Sequence, residues 1–378
     1  MENTNAVVST VIRIEPPLDR PPDELLRVAP GLSVVLEGEQ RVRLDPDDPR
    51  SAGLAQVLEE LRRQRRPVYL EVDPATSAIT RLLIPHVTRV VGIRQIDYGV
   101  LGVELEFSHA RHVLRRSSPA FGELEQRLRE AMRTGEPVIL TETDAHEIID
   151  IRSYTPGPEG PLPPLDRPQV PPRVPLPWRW IRDVLDLIWR WPWWPWWWWF
   201  SCISAARAQQ VFDAMSATSC DPLTIPAPCI PFLYPDDGCW ARAHEMCRLM
   251  INMGLKPKKV WIQGDLYVST KNNPNCGVFW GWHVAPILCV RGFGFFGFLF
   301  KQAMVIDPSL FTTPVSKATW KGVQGDPMAT LTDSDASNYK WGATDPTYMY
   351  TNADLAFYRV QLQSRAVQQG PPPYANCP

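Results

Sequence analysis

Cys239, His283 and Asp307 are the residue types of a nucleophile, its base and the carboxylate that orients the base. Cys239 follows Tyr234-Pro-Asp-Asp-Gly and precedes Trp240-Ala-Arg-Ala-His-Glu-Met-Cys-Arg-Leu-Met-Ile, a good helical pattern. At such a loop-to-helix junction, unpaired amides and the helix dipole favour a thiolate, so the thiol is expected below its ordinary pKa of about 8.5. The Cys239 amide would serve as one oxyanion donor. Asp236 and Asp237 would oppose the thiolate if they turned inward, and are expected to cap the helix or face substrate. His283 is read at the start of an apolar strand, His283-Val-Ala-Pro-Ile-Leu-Cys-Val, and Asp307 at the end of Ala303-Met-Val-Ile, with Pro308 stopping the ladder. If the segment from Arg291 to Lys301 makes these strands antiparallel neighbours, the two side chains become adjacent. Singly, each residue has an ordinary reading: a buried thiol, a core histidine, a turn former. In this order, each at an element terminus, they favour covalent catalysis.

Asp237-Gly-Cys-Trp-Ala-Arg-Ala-His, Trp282-His-Val-Ala and Ile306-Asp-Pro-Ser-Leu-Phe resemble the three motif blocks of the protein-glutaminase (protein-glutamine deamidase) family. The resemblance implies a papain- and transglutaminase-like α+β fold over residues 201–378. It also implies Cys239 as nucleophile, His283 as general base and acid, and Asp307 as orienter. The implied reaction converts glutamine side chains in proteins or peptides to glutamate and ammonia through a thioester. The implied partner is therefore a protein or peptide with accessible glutamine, and no cofactor is called for. A transglutaminase or a cysteine peptidase could use the same triad, and the alternative of another class is a non-enzymatic membrane- or partner-docking protein. Family enzymes are secreted with a cleaved pro-region, whereas this chain opens without the basic flank and apolar run of a secretory signal, so the expected compartment is the cytoplasm, with non-classical export as the other route.

Gly292-Phe-Gly-Phe-Phe-Gly matches the letters of a dinucleotide fingerprint, but between two candidate catalytic strands it reads as a hairpin tip. His244-Glu245 lacks the second histidine of a zinc helix, the cysteines show no paired CxxC spacing, and no metal site is expected. His244, five residues after Cys239, falls off its helix face and is read as structural. His86, His109, His112 and His146 are scattered without ligand spacing and are read as surface or packing residues.

The elements that must position the triad come late in a chain with four stretches. Residues 1–155 hold no Cys, Trp or Lys and read as a small α/β domain with an internal duplication at an offset of 70. Leu54, Leu58, Pro67, Val68, Leu70 and Ile79 match Leu124, Leu128, Pro137, Val138, Leu140 and Ile149, a helix and then a strand in each copy, within one compact domain. Residues 156–177 include ten prolines and read as a semi-rigid linker. Residues 178–200 carry ten of the 16 tryptophans. Trp178, Ile181, Leu185, Ile188 and Trp189 form an apolar helical stripe, interrupted by charges that exclude a membrane span. Trp178–Phe200 is expected to dock on a membrane interface, another protein or a domain of this chain. Residues 201–378 form the catalytic domain, with a helix from Ala205 to Met215, a helix from Cys239, and strands near Lys259–Ile262, His283–Val290 and Ala303–Ile306.

At 378 residues, 44% hydrophobic and 21% charged, the chain can bury real cores, which excludes wholesale disorder. Thirty-nine basic against 41 acidic residues, a formal charge of −2, provide no field for nucleic-acid binding. All eight cysteines lie from Cys202 onward, and with one reserved for catalysis a complete disulfide framework is not expected; reduced thiols are.

Overall fold

The structure, a computed structural model, describes residues 5–28, 32–106, 108–155, 202–224, 228–292, 301–340 and 342–377. It is a mixed α/β molecule with several sheets. The Pro-rich linker, the Trp/Pro segment and most of the Gly292–Gly297 stretch lie outside the described residues.

The N-terminal part begins with strands β1 (Asn5–Glu15), β2 (Ser33–Leu36), β3 (Arg41–Arg43), β4 (Pro67–Val72) and β5 (Ile79–Leu83), joined in the order β3-β2-β1-β4-β5. Helices α1 (Pro22–Val28) and α2 (Ser51–Arg63) accompany it. Leu54, Ala55, Val57, Leu58 and Leu61 of α2 are buried, at the i, i+3, i+4, i+7 spacing of one helical face. Beyond them come β6 (His86–Thr88), β7 (Val90–Asp97), β8 (Val100–Leu105), β9 (His112–Arg115), helix α3 (Phe121–Thr134), β10 (Val138–Glu142) and β11 (Ile148–Ser153). β11, β10 and β6 make one antiparallel sheet, and β7, β8 and β9 another.

The expectation of one compact N-terminal domain differs from the packing. Leu54, Leu58, Val68 and Leu70 share a single core with Phe212, Trp240, Met246, Leu355 and Val360 of the C-terminal part, whereas Leu124, Leu128, Leu140 and Ile151 sit in a small core of their own. The apolar face of α2 lies against the long C-terminal helix instead of against the second α/β unit. Gly53 allows the closest approach: a Cβ there would meet the Val367 side chain at 2.5 Å.

The C-terminal part contains α4 (Ala205–Ser216), α5 (Cys239–Asn252), α6 (Lys317–Gly322) and α7 (Met349–Gln369). Strands β12 (Lys258–Ser269), β13 (Gly277–Arg291), β14 (Lys301–Val305), β15 (Val315–Ser316) and β16 (Thr330–Asp335) form a sheet ordered β15-β14-β13-β12-β16, antiparallel throughout. α5 lies on one face of this sheet with Trp282, Val284 and Leu288, while Val260, Ile262, Trp280, Ile287 and Trp320 fill the other. β13 starts at Gly277, so His283 lies mid-strand and not at a strand start. Pairing with β12 holds the extra residues: Ser269 lies opposite Gly277 and Ile262 opposite His283.

The expectation of reduced thiols is corrected. Cys202–Cys289, Cys220–Cys229 and Cys276–Cys377 are disulfides, and Cys239 and Cys247 are free and buried. Reserving one cysteine for catalysis leaves seven, and the structure reserves a second, Cys247, inside α5, so that the other six pair fully.

Candidate active site

Gly238 is the residue that lets α5 begin where it does. It holds φ 78°, and a Cβ would lie 2.3 Å from the Tyr358 ring of α7, so position 238 admits glycine alone. Cys239 follows as the first residue of α5, 1% exposed. Arg242, one turn on, donates from Nη1 to the carbonyls of Tyr234 (2.9 Å) and Asp237 (2.5 Å), tying the preceding loop to the helix.

β13 and β14 pair with Ile287 opposite Val305, which leaves Asp307 just past the end of β14 and beside His283. His283 Nε2 lies 2.9 Å from Asp307 Oδ2. Asp307 Oδ2 also accepts from Trp320 Nε1 at 2.9 Å, and Oδ1 accepts from the Ser309 amide at 3.2 Å. Burial works to raise the Asp307 pKa, but the facing imidazole and these donors hold it below the usual carboxylate range. The Trp280 ring stacks on His283 with centroids 4.5 Å apart at 17°, and Trp320 stacks at 5.5 Å and 28°, fixing the ring plane. His283 Nδ1 is buried with no hydrogen-bond partner among the described residues, while a ring nitrogen of His283 and Cys239 Sγ lie within 4.8 Å. The structure thus brings Cys239, His283 and Asp307 into one buried cluster.

A fourth residue, missed in the sequence, completes the cluster. His109 Nδ1 lies 3.4 Å from Cys239 Sγ and 2.7 Å from Asp237 Oδ1. His109 comes from the N-terminal part, on the stretch between β8 and β9. Its main chain runs beside β13: the Gly281 amide donates to the His109 carbonyl at 2.9 Å, and the Arg111 amide to the Phe279 carbonyl at 3.0 Å. Arg111 pairs with the exposed carboxylate of Asp265. The residues 108–111 therefore form a strap over the thiol. Under it, Cys239 is fully buried, and desolvation pushes the thiol pKa up instead of down. This reverses the expectation of a depressed thiol pKa, because helix amides and dipole are outweighed once water is excluded. Burial also pushes His109 down to about 4, against the opposing pull of Asp237.

Neither acid caps α5, as a cap was expected to; Gly238 occupies the cap position without a side-chain bond. Asp237 turns inward, accepting from the His109 amide (3.1 Å) and the Tyr358 hydroxyl (2.8 Å). Asp236 takes both Arg365 nitrogens, at 2.8 and 3.0 Å, and the Asn273 amide. Arg365 also reaches Asp144 at 2.7 Å, so this arginine joins α7, the loop before Cys239 and the N-terminal part. His244 lies away from the thiol, 2.9 Å from Lys259 Nζ.

The other N-terminal histidines are not scattered in space, which corrects the sequence reading. His86, His112 and His146 all turn ring nitrogens to the buried carboxylate of Glu142. Burial disfavours charge on His146, but Glu142 beside it pushes its pKa up to about 9. No spacing announces this convergence, since three strands and a turn supply the four residues.

A buried thiol at a helix start, with an imidazole oriented by a carboxylate at its side, is the arrangement of thiol-dependent acyl-transfer proteins. Residues 208–324 match the model of a family described as glutaminase, Gln_deamidase_2. That segment contains all three residues. Among solved structures, a pro-protein-glutaminase is 22% identical, with a TM-score of 0.48 over 78% of this chain and 99% of that one. The protein-glutaminase from Chryseobacterium proteolyticum is 29% identical, with a TM-score of 0.35 over 40% of this chain and 84% of that one. No curated protein matches the chain.

Proposed function

We propose that this protein hydrolyses the side-chain amide of glutamine residues in proteins or peptides to glutamate and ammonia, with Cys239, His283 and Asp307 as the working groups. The observation that carries this is the coincidence of the family match over residues 208–324 with the buried thiol, imidazole and carboxylate inside it. Cys239 transfers its proton to His283 and attacks the carboxamide carbon; the tetrahedral intermediate expels ammonia, which takes its proton from His283; water then cleaves the thioester with His283 as base. Asp307 holds the imidazole by its Nε2, leaving Nδ1 for the thiol. The amide of Cys239 serves as one oxyanion donor.

The same reading makes residues 201–378 a papain- and transglutaminase-like catalytic domain, and residues 1–155 a duplicated α/β domain. The offset of 70 supports the duplication: α2, β4 and β5 begin at 51, 67 and 79, and α3, β10 and β11 at 121, 138 and 148. The strap at 108–111 occupies the space before Sγ, so turnover requires it to leave. The segment Trp178–Phe200, with its ten indoles, is proposed to hold the catalytic domain against a lipid interface or a protein surface.

The test is incubation of the purified chain, before and after limited proteolysis within residues 1–155, with a glutamine-rich protein and with free glutamine. Ammonia release accompanied by an amide-to-acid mass change in the protein is expected. Amine incorporation would move the assignment to a transglutaminase, backbone cleavage to a peptidase. Full biological effect from Cys239→Ala would favour a docking protein.

A further inference from the structure

Three imidazoles and one carboxylate face each other where the N-terminal part meets the catalytic one. His86 Nε2 lies 3.2 Å and His146 Nδ1 2.8 Å from Glu142 Oε1, and His112 Nδ1 meets Oε2. The side chain of His112 is 0% exposed, Glu142 8%, His146 9% and His86 11%. The donor atoms of His112, Glu142 and His146 all lie within 4.8 Å of one another. The rings stand edge to face around the carboxylate: His86 and His112 at 73° with centroids 5.9 Å apart, His112 and His146 at 82° and 5.4 Å.

With all three imidazoles neutral, hydrogen bonding alone leaves this cluster badly served. For three neutral rings to donate to Glu142, each must carry its proton on the inward nitrogen, which makes the outward nitrogen an acceptor. In His146 that outward atom, Nε2, is buried without a hydrogen-bond partner among the described residues, and Asp236 Oδ1 lies 3.9 Å from it, a carboxylate that repels a lone pair. A positive charge relieves this, either a second proton on His146 or a cation among the inward atoms; with the cation, Nδ1 of His146 becomes a ligand, and Nε2 carries a proton toward Asp236. His112 has the matching outer contact, Nε2 to Ser108 Oγ at 2.7 Å. Ligand histidines backed by a carboxylate or hydroxyl on the far nitrogen are the regular outer shell of a metal site.

We propose that His112, His146 and Glu142 bind a divalent zinc ion, with His86 held against the same carboxylate. Two imidazole nitrogens and a carboxylate form an N/O set suited to zinc, with the fourth position open to His86 on closing in or to water, whereas an all-oxygen set would suit calcium or magnesium. Its consequence is mechanical. The ion fastens β9 to β10 and the turn that carries His146, three residues beyond His109, and so anchors one end of the strap across Cys239.

The experiment uses the full chain, purified without metal-affinity steps, stripped with chelator, loaded with zinc sulfate and dialysed against metal-free buffer. About one zinc per chain should remain, and cobalt in its place should show the intense visible bands of a four-coordinate site. His146→Ala should weaken zinc binding by about 100-fold, while Cys239→Ala should leave it unchanged. Because a variant in this buried cluster can fail to fold, the zinc content, cobalt spectrum and zinc-dependent rise in Tm of the unmodified chain decide the matter on their own. A folded chain that keeps no zinc, shows no such bands and gains no Tm would overturn the site and leave a metal-free ion pair of protonated His146 with Glu142. Zinc lost in Cys239→Ala but kept in folded His146→Ala would also overturn it, by moving the ion to Cys239, His109 and His283.

Discussion

Burial sets the resting state of Cys239: under the strap, desolvation raises its pKa and holds it as the thiol. Replacing Cys239 by Ala should abolish ammonia release with the circular dichroism unchanged, whereas Cys247→Ala, in the same helix but off the cluster, should retain activity. Equal loss from both would refute the nucleophile assignment. Asp307 receives Trp320 Nε1 and orients His283, so Asp307→Asn should lower kcat by about 10⁴ with little change in KM, as loss of an orienting carboxylate does elsewhere. A near-normal kcat would remove Asp307 from the chemistry.

At the level of elements, the strap and the start of α5 carry the testable strain. Gly238→Ala forces a left-handed alanine whose Cβ would overlap the Tyr358 ring, and should cost about 1–3 kcal/mol in urea unfolding. The strap should release in acid. His109 has a folded pKa of about 4, below its free value near 6.5, so the released strap binds more protons between these values and docking weakens as pH falls from about 6.5 toward 4. Asp237, held well below the usual carboxylate range mainly against its own burial and by His109, acts in the same direction at still lower pH. His109→Gln should therefore flatten the fall in Tm between pH 6.5 and 4 relative to the unmodified chain; an unchanged slope would place the acid response elsewhere.

In the molecule as a whole, the N-terminal part is built into the catalytic part. Leu54 and Leu58 of α2 share a core with Leu355 and Val360 of α7, and Gln368 Nε2 donates to the Leu82 carbonyl at 2.8 Å. Cys276–Cys377 closes the chain end back to β13 across 101 residues, and Cys202–Cys289 links the start of the described C-terminal part to the same strand. Reduction under mild conditions should lower Tm, with each long-range bridge contributing about 2–4 kcal/mol, and Cys276→Ser/Cys377→Ser should reproduce part of that loss. Deleting residues 178–200 should leave turnover of a small glutamine peptide, once the strap is removed, nearly unchanged while reducing liposome binding or activity on a large target. Loss of peptide turnover in a folded deletion would make the segment part of the site.

What could be read along the chain was local or followed from a short connection. The helix from Cys239 announces itself by its apolar spacing, and the His283 and Asp307 strands are joined by few enough residues that antiparallel pairing follows, so their contact was legible. The proposed repeat at 70 residues rests on the same kind of local signal, a helix and then a strand pattern in each stretch. Long-range closure decided everything else. His109 is 130 residues from Cys239, and His86, His112, Glu142 and His146 sit on different elements, so no periodicity relates them; only packing of the N-terminal part on α5 and β13 brings them together. The cysteine pairs were hidden likewise, because pairing depends on Cα positions that no spacing encodes. The thiol pKa shows the same division: the helix start that favours a thiolate is written in the residues around Cys239, while the desolvation that overrides it comes from a strap folded over it from far away.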